Sequence, residues 1–255
     1  MRFAPEIGPV ESRLRGQLEG GPIHLTLIDP EKSPGERAAD VAEGAARAGS
    51  HAVLLGGSTG ITRELMGEAA RAIRSRVDLP TIIFPEGPGS LAPEAHAILF
   101  MSLLNSRDLE LVVRAHARAA PVVRRLGLEA IPMGYLVIAP GMRVGEVGQV
   151  DPIPRDEPAT AAGYALAAEM LGMRLVYLEA GSGAPAPVPV EIVGAVRAAL
   201  TVPLIVGGGI RSGAEARPLL EAGANVLVTG TIAEEDGLGE RYRSVVREVV
   251  RARRR

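Results

Sequence analysis

Glu179, Asp29 and Lys32 are the side chains of this 255-residue chain whose type and setting could do chemistry. Glu179 ends the run Leu175, Val176, Tyr177, Leu178 and is followed by Ala180, Gly181, Ser182 and Gly183. A carboxylate among small residues at the end of a strand suits a general base; the competing reading is an ion pair with a nearby arginine. Asp29 follows the apolar stretch 23–28, sits before Pro30 and lies three residues ahead of Lys32. With a hydroxyl such as that of Ser58 it could form half of an Mg2+ site, because Mg2+ takes oxygen ligands and fills its shell with water and substrate phosphate. The alternative is that Asp29 only forms the turn. Lys32 is the one lysine among 28 basic residues, so either an ammonium is wanted there or chance left it.

Two glycine-rich strand ends add an anion-binding feature. PLIVGGGIRSG at 203–213 and VLVTGT at 226–231 are short apolar runs that each end in glycine about twenty residues apart. Paired strand ends of this kind can hold one phosphate on backbone N–H groups between neighbouring βα loops, although the same glycines could simply make tight turns. The four histidines form no HxH or HExxH pattern. His24 lies within a strand, His51 and His96 at strand starts and His116 in mid-helix, so packing or surface roles are expected for all four. The chain has no cysteine, which removes disulfides, a thiolate zinc site and a cysteine nucleophile.

These residues need a frame that collects them. Short apolar strands are expected at 23–28, 51–55, 81–84, 97–101, within 129–138, at 175–178, and at the two glycine-ended segments. Helical periodicity fills 34–48, 62–76, 109–125, 159–171 and 190–200, with a closing helix at 241–253 and a short one at 10–18 before the first strand. The segment 85–93 holds three prolines and two glycines, so an irregular connection is expected in place of the third helix. Eight strands alternating with helices over about 250 residues imply a single-domain (β/α)8 TIM barrel spanning 1–255, with an open doubly wound sheet as the other option. In such a barrel the active site lies at the C-terminal strand ends. Asp29, Lys32, Gly57, Ser58, Asn105, Tyr177, Glu179, Ser182, Gly208, Gly209, Arg211, Gly230 and Thr231 would all stand there. The long loop 139–158 is rich in glycine and proline and is expected to be functional or mobile.

A net charge of −2 leaves no electrostatic footprint for nucleic acid. The opening MRFAPEIGPVESR has no apolar signal core, and no apolar run approaches the ~20 residues of a membrane span. A soluble, cytoplasmic protein is expected, touching membrane at most peripherally.

Taken together, HLTLIDPEK at 24–32, GGSTG at 56–60, LFMSLLNSR at 99–107, YLEAGSGAP at 177–185 and VGGGIRSG followed by VTGT resemble the geranylgeranylglyceryl phosphate synthase family along nearly the whole chain. YLEAGSG combined with GGGIRSG is the specific part; GGGI alone is common among phosphate-binding barrels. The resemblance implies an Mg2+-dependent prenyltransferase that joins the C3 hydroxyl of sn-glycerol 1-phosphate to C1 of a prenyl diphosphate. It implies glycerol 1-phosphate contacts at Tyr177, Leu178, Glu179, Ala180, Gly181, Ser182, Gly183, Gly208, Gly209, Gly230 and Thr231. By the same resemblance Asp29 and Ser58 hold the metal, and the enzyme is a homodimer or hexamer. Glu179 and Lys32 are then the expected catalytic pair, as proton acceptor and as neutraliser of the leaving diphosphate. A heptaprenylglyceryl phosphate synthase, differing in chain length, is the nearest rival, and another phosphate-handling barrel the next. Two loops depart from the family pattern, FPEGPGS at 84–90 and APGMRVGEVGQV at 139–150, and these put donor length in question more than reaction type.

Overall fold

Eight parallel strands close on themselves in chain order: β1 (Ile23–Ile28), β2 (Ala52–Leu55), β3 (Thr81–Ile83), β4 (Ala97–Leu103), β5 (Glu129–Val137), β6 (Leu175–Glu179), β7 (Leu204–Gly207) and β8 (Val226–Thr229). The structure is a computed structural model that describes residues 7–57, 60–235 and 237–253. β8 pairs back onto β1 from Ile23↔Val226 to Thr26↔Thr229. This closure is the TIM barrel expected from the pattern, and it excludes the open sheet. The strands are near-continuous apolar runs because both faces are covered. On β6 the alternation is plain: Leu175 and Tyr177 enter the cluster inside the barrel, while Val176 and Leu178 join the cluster under the helices.

The helices are α1 (Pro9–Glu19), α2 (Glu36–Ala48), α3 (Arg63–Arg76), α4 (Ala115–Leu126), α5 (Met142–Val147), α6 (Pro158–Met170), α7 (Val190–Ala199), α8 (Gly213–Glu221), α9 (Thr231–Glu235) and α10 (Glu240–Ala252). α1 closes the bottom of the barrel. Its Val10 and Leu14 pack into the interior cluster, and Glu129 at the start of β5 accepts the N–H groups of Val10 (2.7 Å) and Glu11 (2.8 Å), supplying the acceptors that a helix N-terminus lacks.

Between β3 and β4 there is only a 3-10 turn, Pro88–Ser90, as the prolines predict. Three local expectations differ from the fold. The helix expected over 109–125 opens as a π-helical stretch, Glu110–Arg114, before α4 begins; Ser102 Oγ donates to the Val112 carbonyl at 2.6 Å, and a side chain inserted there accompanies the wider turn. β4 runs two residues past the expected end at Met101, because the long β5 offers partners to Ser102 and Leu103. The loop 139–158 contains α5, whose six residues between Gly141 and Gly148 are too few for a periodic signal.

Candidate active site

The strand ends open into a cavity of about 220 Å3, and Glu179 sits in its floor. Its side chain comes from the last residue of β6 and points inward by the same alternation that turns Tyr177 inward. It is 7% exposed. Gly181 N–H donates to Glu179 Oε1 at 2.6 Å, and the Tyr135 phenol donates to Oε2 at 3.1 Å. Burial raises the carboxyl pKa above its ordinary value, opposed by the Gly181 amide and the two phenols of Tyr135 and Tyr177. Both phenols are themselves pushed well above their usual pKa, first by burial and then by the neighbouring Glu179 charge. The site therefore holds a basic carboxylate among donors that stay protonated. The ion-pair alternative for Glu179 has no support here, since its polar contacts are an amide and phenols.

Around Glu179 the glycine loops stand as a cradle. Gly208 has φ +80, and a Cβ on it would collide with Glu179 Oε1 and stand 2.6 Å from Gly181 N, so this backbone approaches the carboxylate only because no side chain intervenes. Gly208, Gly209, Gly230, Thr231, Ser182 and Gly183 all line the cavity. The Ser182 and Thr231 hydroxyls lie 3.1 Å apart, which brings the β6 and β8 loops together, and Arg211 bridges to the Gly183 carbonyl at 3.0 Å. Leu178 and Ala180 do not face this space; both are buried in the layer beneath the helices. The amide of Gly181 is spent on Glu179.

On the opposite side, Asp29 and Lys32 line the cavity from the β1 loop. Asp29 Oδ1 accepts the Glu31 N–H at 3.0 Å, so the turn role is real, yet the carboxylate also borders open space. A Cβ on Gly57 would stand 2.8 Å from Asp29 Oδ1, and glycine there leaves that flank clear. Lys32 reaches Glu234 Oε2 at 2.9 Å and Asp29 Oδ2 at 3.7 Å. Its pKa is raised, chiefly by the Glu234 hydrogen bond, so it is a cation throughout the physiological range. Ser58 lies outside the described residues. Among the described residues no group of three or more His, Cys, Asp or Glu side chains could hold a metal.

Three features were not anticipated from the sequence. Glu234, on the five-residue α9, is one; only the closure of β8 onto β1 reveals it. Tyr135 is another, carried beside Glu179 by the β5–β6 register Tyr135↔Tyr177. The third is an apolar wall, where Phe84, Met101, Leu103, Leu111, Val144 and Val147 line the same cavity.

Two sets of residues turn out to be structural. Asn105 donates to the carbonyls of Val137 (2.9 Å) and Asp151 (3.0 Å), tying β5 to the following loop. Each histidine is used in packing: His24 lies between Ser50 Oγ (3.2 Å) and Thr229 Oγ1 (2.9 Å), with a pKa lowered by burial, then by His51, to about 3. His51 and His96 accept backbone N–H groups, and His116 donates to the Met101 carbonyl.

A closed barrel with a buried basic carboxylate between a glycine cradle and an apolar wall defines an enzyme of the PcrB family, to which this chain belongs: the family's sequence profile matches residues 16–250. Within that family its relatives are prenyltransferases. It is 52% identical to the geranylgeranylglyceryl phosphate synthase of Methanothrix thermoacetophila over 93% of this chain and 94% of that one. To the enzyme of the same name from Thermococcus kodakarensis it is 47% identical over 96% and 98%. A crystal structure of (S)-3-O-geranylgeranylglyceryl phosphate synthase from Thermoplasma acidophilum in complex with substrate sn-glycerol-1-phosphate superposes with a TM-score of 0.90 at 46% identity, covering 96% of this chain and 99% of that one.

Proposed function

We propose that the protein transfers a geranylgeranyl group from geranylgeranyl diphosphate to the C3 hydroxyl of sn-glycerol 1-phosphate, releasing diphosphate. The observation that carries this reading is Glu179, a buried carboxylate with raised pKa standing between a glycine cradle and an apolar wall. Glycerol 1-phosphate seats its phosphate against Ser182, Gly183, Gly208, Gly209, Gly230 and Thr231, and its C3 hydroxyl faces Glu179. The hydroxyl oxygen forms the new bond to prenyl C1 as the C1–O bond to diphosphate breaks, and its proton passes to the Glu179 carboxylate. Tyr135 and Gly181 hold that carboxylate in place.

The leaving diphosphate gathers charge, and Lys32 neutralises part of it. The donor set beside it is all oxygen with one clear flank, which fits Mg2+; Asp29 and Ser58 would hold the ion, water and diphosphate oxygens completing its shell. When bound, Mg2+ supplies further charge neutralisation to the departing diphosphate. The prenyl chain lies along Phe84, Met101, Leu103 and Val144, where burial of apolar carbon contributes about 0.8 kcal/mol per CH2.

An assay with labelled glycerol 1-phosphate and prenyl diphosphates of increasing length tests this. Ether product peaking at the geranylgeranyl donor is expected. A peak at a much longer donor would point instead to heptaprenylglyceryl transfer, and no product with Mg2+ present would remove the reading. In the same assay Asp29→Ala should abolish the response to Mg2+. Cytoplasmic placement, assembly as a homodimer or hexamer, and peripheral membrane contact belong to the same proposal. Leu109, Val113 and Val147 are exposed apolar side chains on the segments that also carry Leu111 and Val144, and vesicle co-sedimentation checks the last point. No helix among the described residues is long and apolar enough to cross a membrane.

A further inference from the structure

We infer that Glu234 is a positioning residue that couples the two substrate subsites, so that filling one tightens the other. The inference rests on the proposed placement of the diphosphate at Asp29 and Lys32 and of the acceptor phosphate at Gly230 and Thr231. Glu234 belongs to the acceptor loop: its own N–H donates to the Gly230 carbonyl at 3.2 Å, so its backbone follows whatever fixes Gly230. Its side chain belongs to the donor loop. Oε1 accepts the Asp29 N–H at 3.2 Å, and Oε2 accepts from Lys32 Nζ at 2.9 Å.

The β1–β8 ladder ends at Thr26↔Thr229, and past that point the Glu234 carboxylate carries a connection between the loops. The carboxylate side chain is 15% exposed and that of Lys32 62%. The pair is therefore anchored on the glutamate side and open on the lysine side. An ammonium has three N–H donors; Lys32 can keep Glu234 and still offer N–H groups to a diphosphate oxygen. A phosphate seated on Gly230 and Thr231 orders the chain that carries Glu234, and through two charge-assisted contacts it orders Asp29 and Lys32 as well. The second ligand then meets a loop whose ordering cost has already been met, which is positive cooperativity and reciprocal by linkage.

The test uses a pair that cannot react. Calorimetry measures the affinity of magnesium pyrophosphate with and without saturating sn-glycerol 1-phosphate, and the converse. In the wild type each ligand should tighten the other by the same factor, about 5-fold or more. In Glu234→Ala the factor should fall to one. Glu234→Gln keeps an acceptor for the Asp29 N–H but loses the ion pair, and should give an intermediate factor.

Should Glu234→Ala fail to fold, Glu234→Gln and Lys32→Met decide, since both must lower the factor. A wild-type factor of one with both ligands bound overturns the inference and leaves the proposed reaction standing. So does an undiminished factor in the variants. A wild type that binds neither ligand overturns the proposed reaction itself.

Discussion

The phenol of Tyr135 donates to Glu179 Oε2 at 3.1 Å across the β5–β6 seam, holding a buried carboxylate whose Oε1 accepts the Gly181 amide two residues on. Hydrogen bonds to the ionised form lower a carboxyl pKa while burial raises it, and here burial is the larger influence. Tyr135→Phe removes one opposing contact, so the Glu179 pKa should rise further. The acid limb of the kcat–pH profile should move to higher pH, with kcat falling more on the acid side of the profile than on the alkaline side. An unmoved acid limb would mean that Glu179 is not the group being titrated.

Glu179→Gln should lower kcat by about 10²-fold or more, the scale of general-base catalysis, with a smaller change in KM. It should also stabilise the fold. A carboxyl whose folded pKa is raised contributes stability that is fully present below its unfolded pKa and is lost as pH rises through the folded value. Near pH 7 the wild type therefore carries a penalty that the amide does not. A rise in Tm is expected at pH 7, narrowing toward pH 4. Thermal scans at the two pH values check the sign.

Gly208→Ala places a Cβ against the Glu179 carboxylate and the Gly181 amide at a backbone φ of +80. Strain of this kind costs about 1–3 kcal/mol. Because it falls on the cradle and on the base, activity should drop further than stability. Steady-state kinetics alongside a urea melt separates the two: a raised KM for glycerol 1-phosphate is expected, and an unchanged one would place the phosphate elsewhere.

Met101→Trp enlarges a half-buried residue in the apolar wall. The optimum donor should shift to a shorter prenyl diphosphate, with KM for glycerol 1-phosphate little affected. Comparing kcat/KM across a series of donor lengths reads this directly.

At the other end of the barrel, the Glu11 side chain is 1% exposed and pairs with Arg174 and Arg15, at 2.8 Å and 2.9 Å. Glu11→Ala leaves Arg174 without that partner in a largely shielded position, and should cost about 2–4 kcal/mol of stability. The kcat should be retained at a temperature where the variant is folded, because the bottom of a barrel serves stability and the top serves chemistry.

Much of this molecule was determined by local sequence alone. Apolar runs and helical stripes specify eight strands and most of the helices between them, prolines at 85, 88 and 93 exclude a helix after the third strand, and glycines at 208, 209 and 230 mark where backbone must come close to something. Each is a property of the chain over a few residues: a missing N–H, a missing Cβ, a period. Even Glu179 could be singled out this way, by its place at a strand end among small residues. Tertiary structure alone decided which residues meet. Tyr135 lies 44 residues before Glu179 and reaches it only through strand register; Glu234 lies 202 residues after Lys32 and reaches it only because β8 closes onto β1. Leu178 and Ala180, inside the same motif as Glu179, face away from the cavity because side chains alternate across a strand. The raised pKa of Glu179 belongs to this second class as well, since it arises from burial, and burial is a property of the closed barrel.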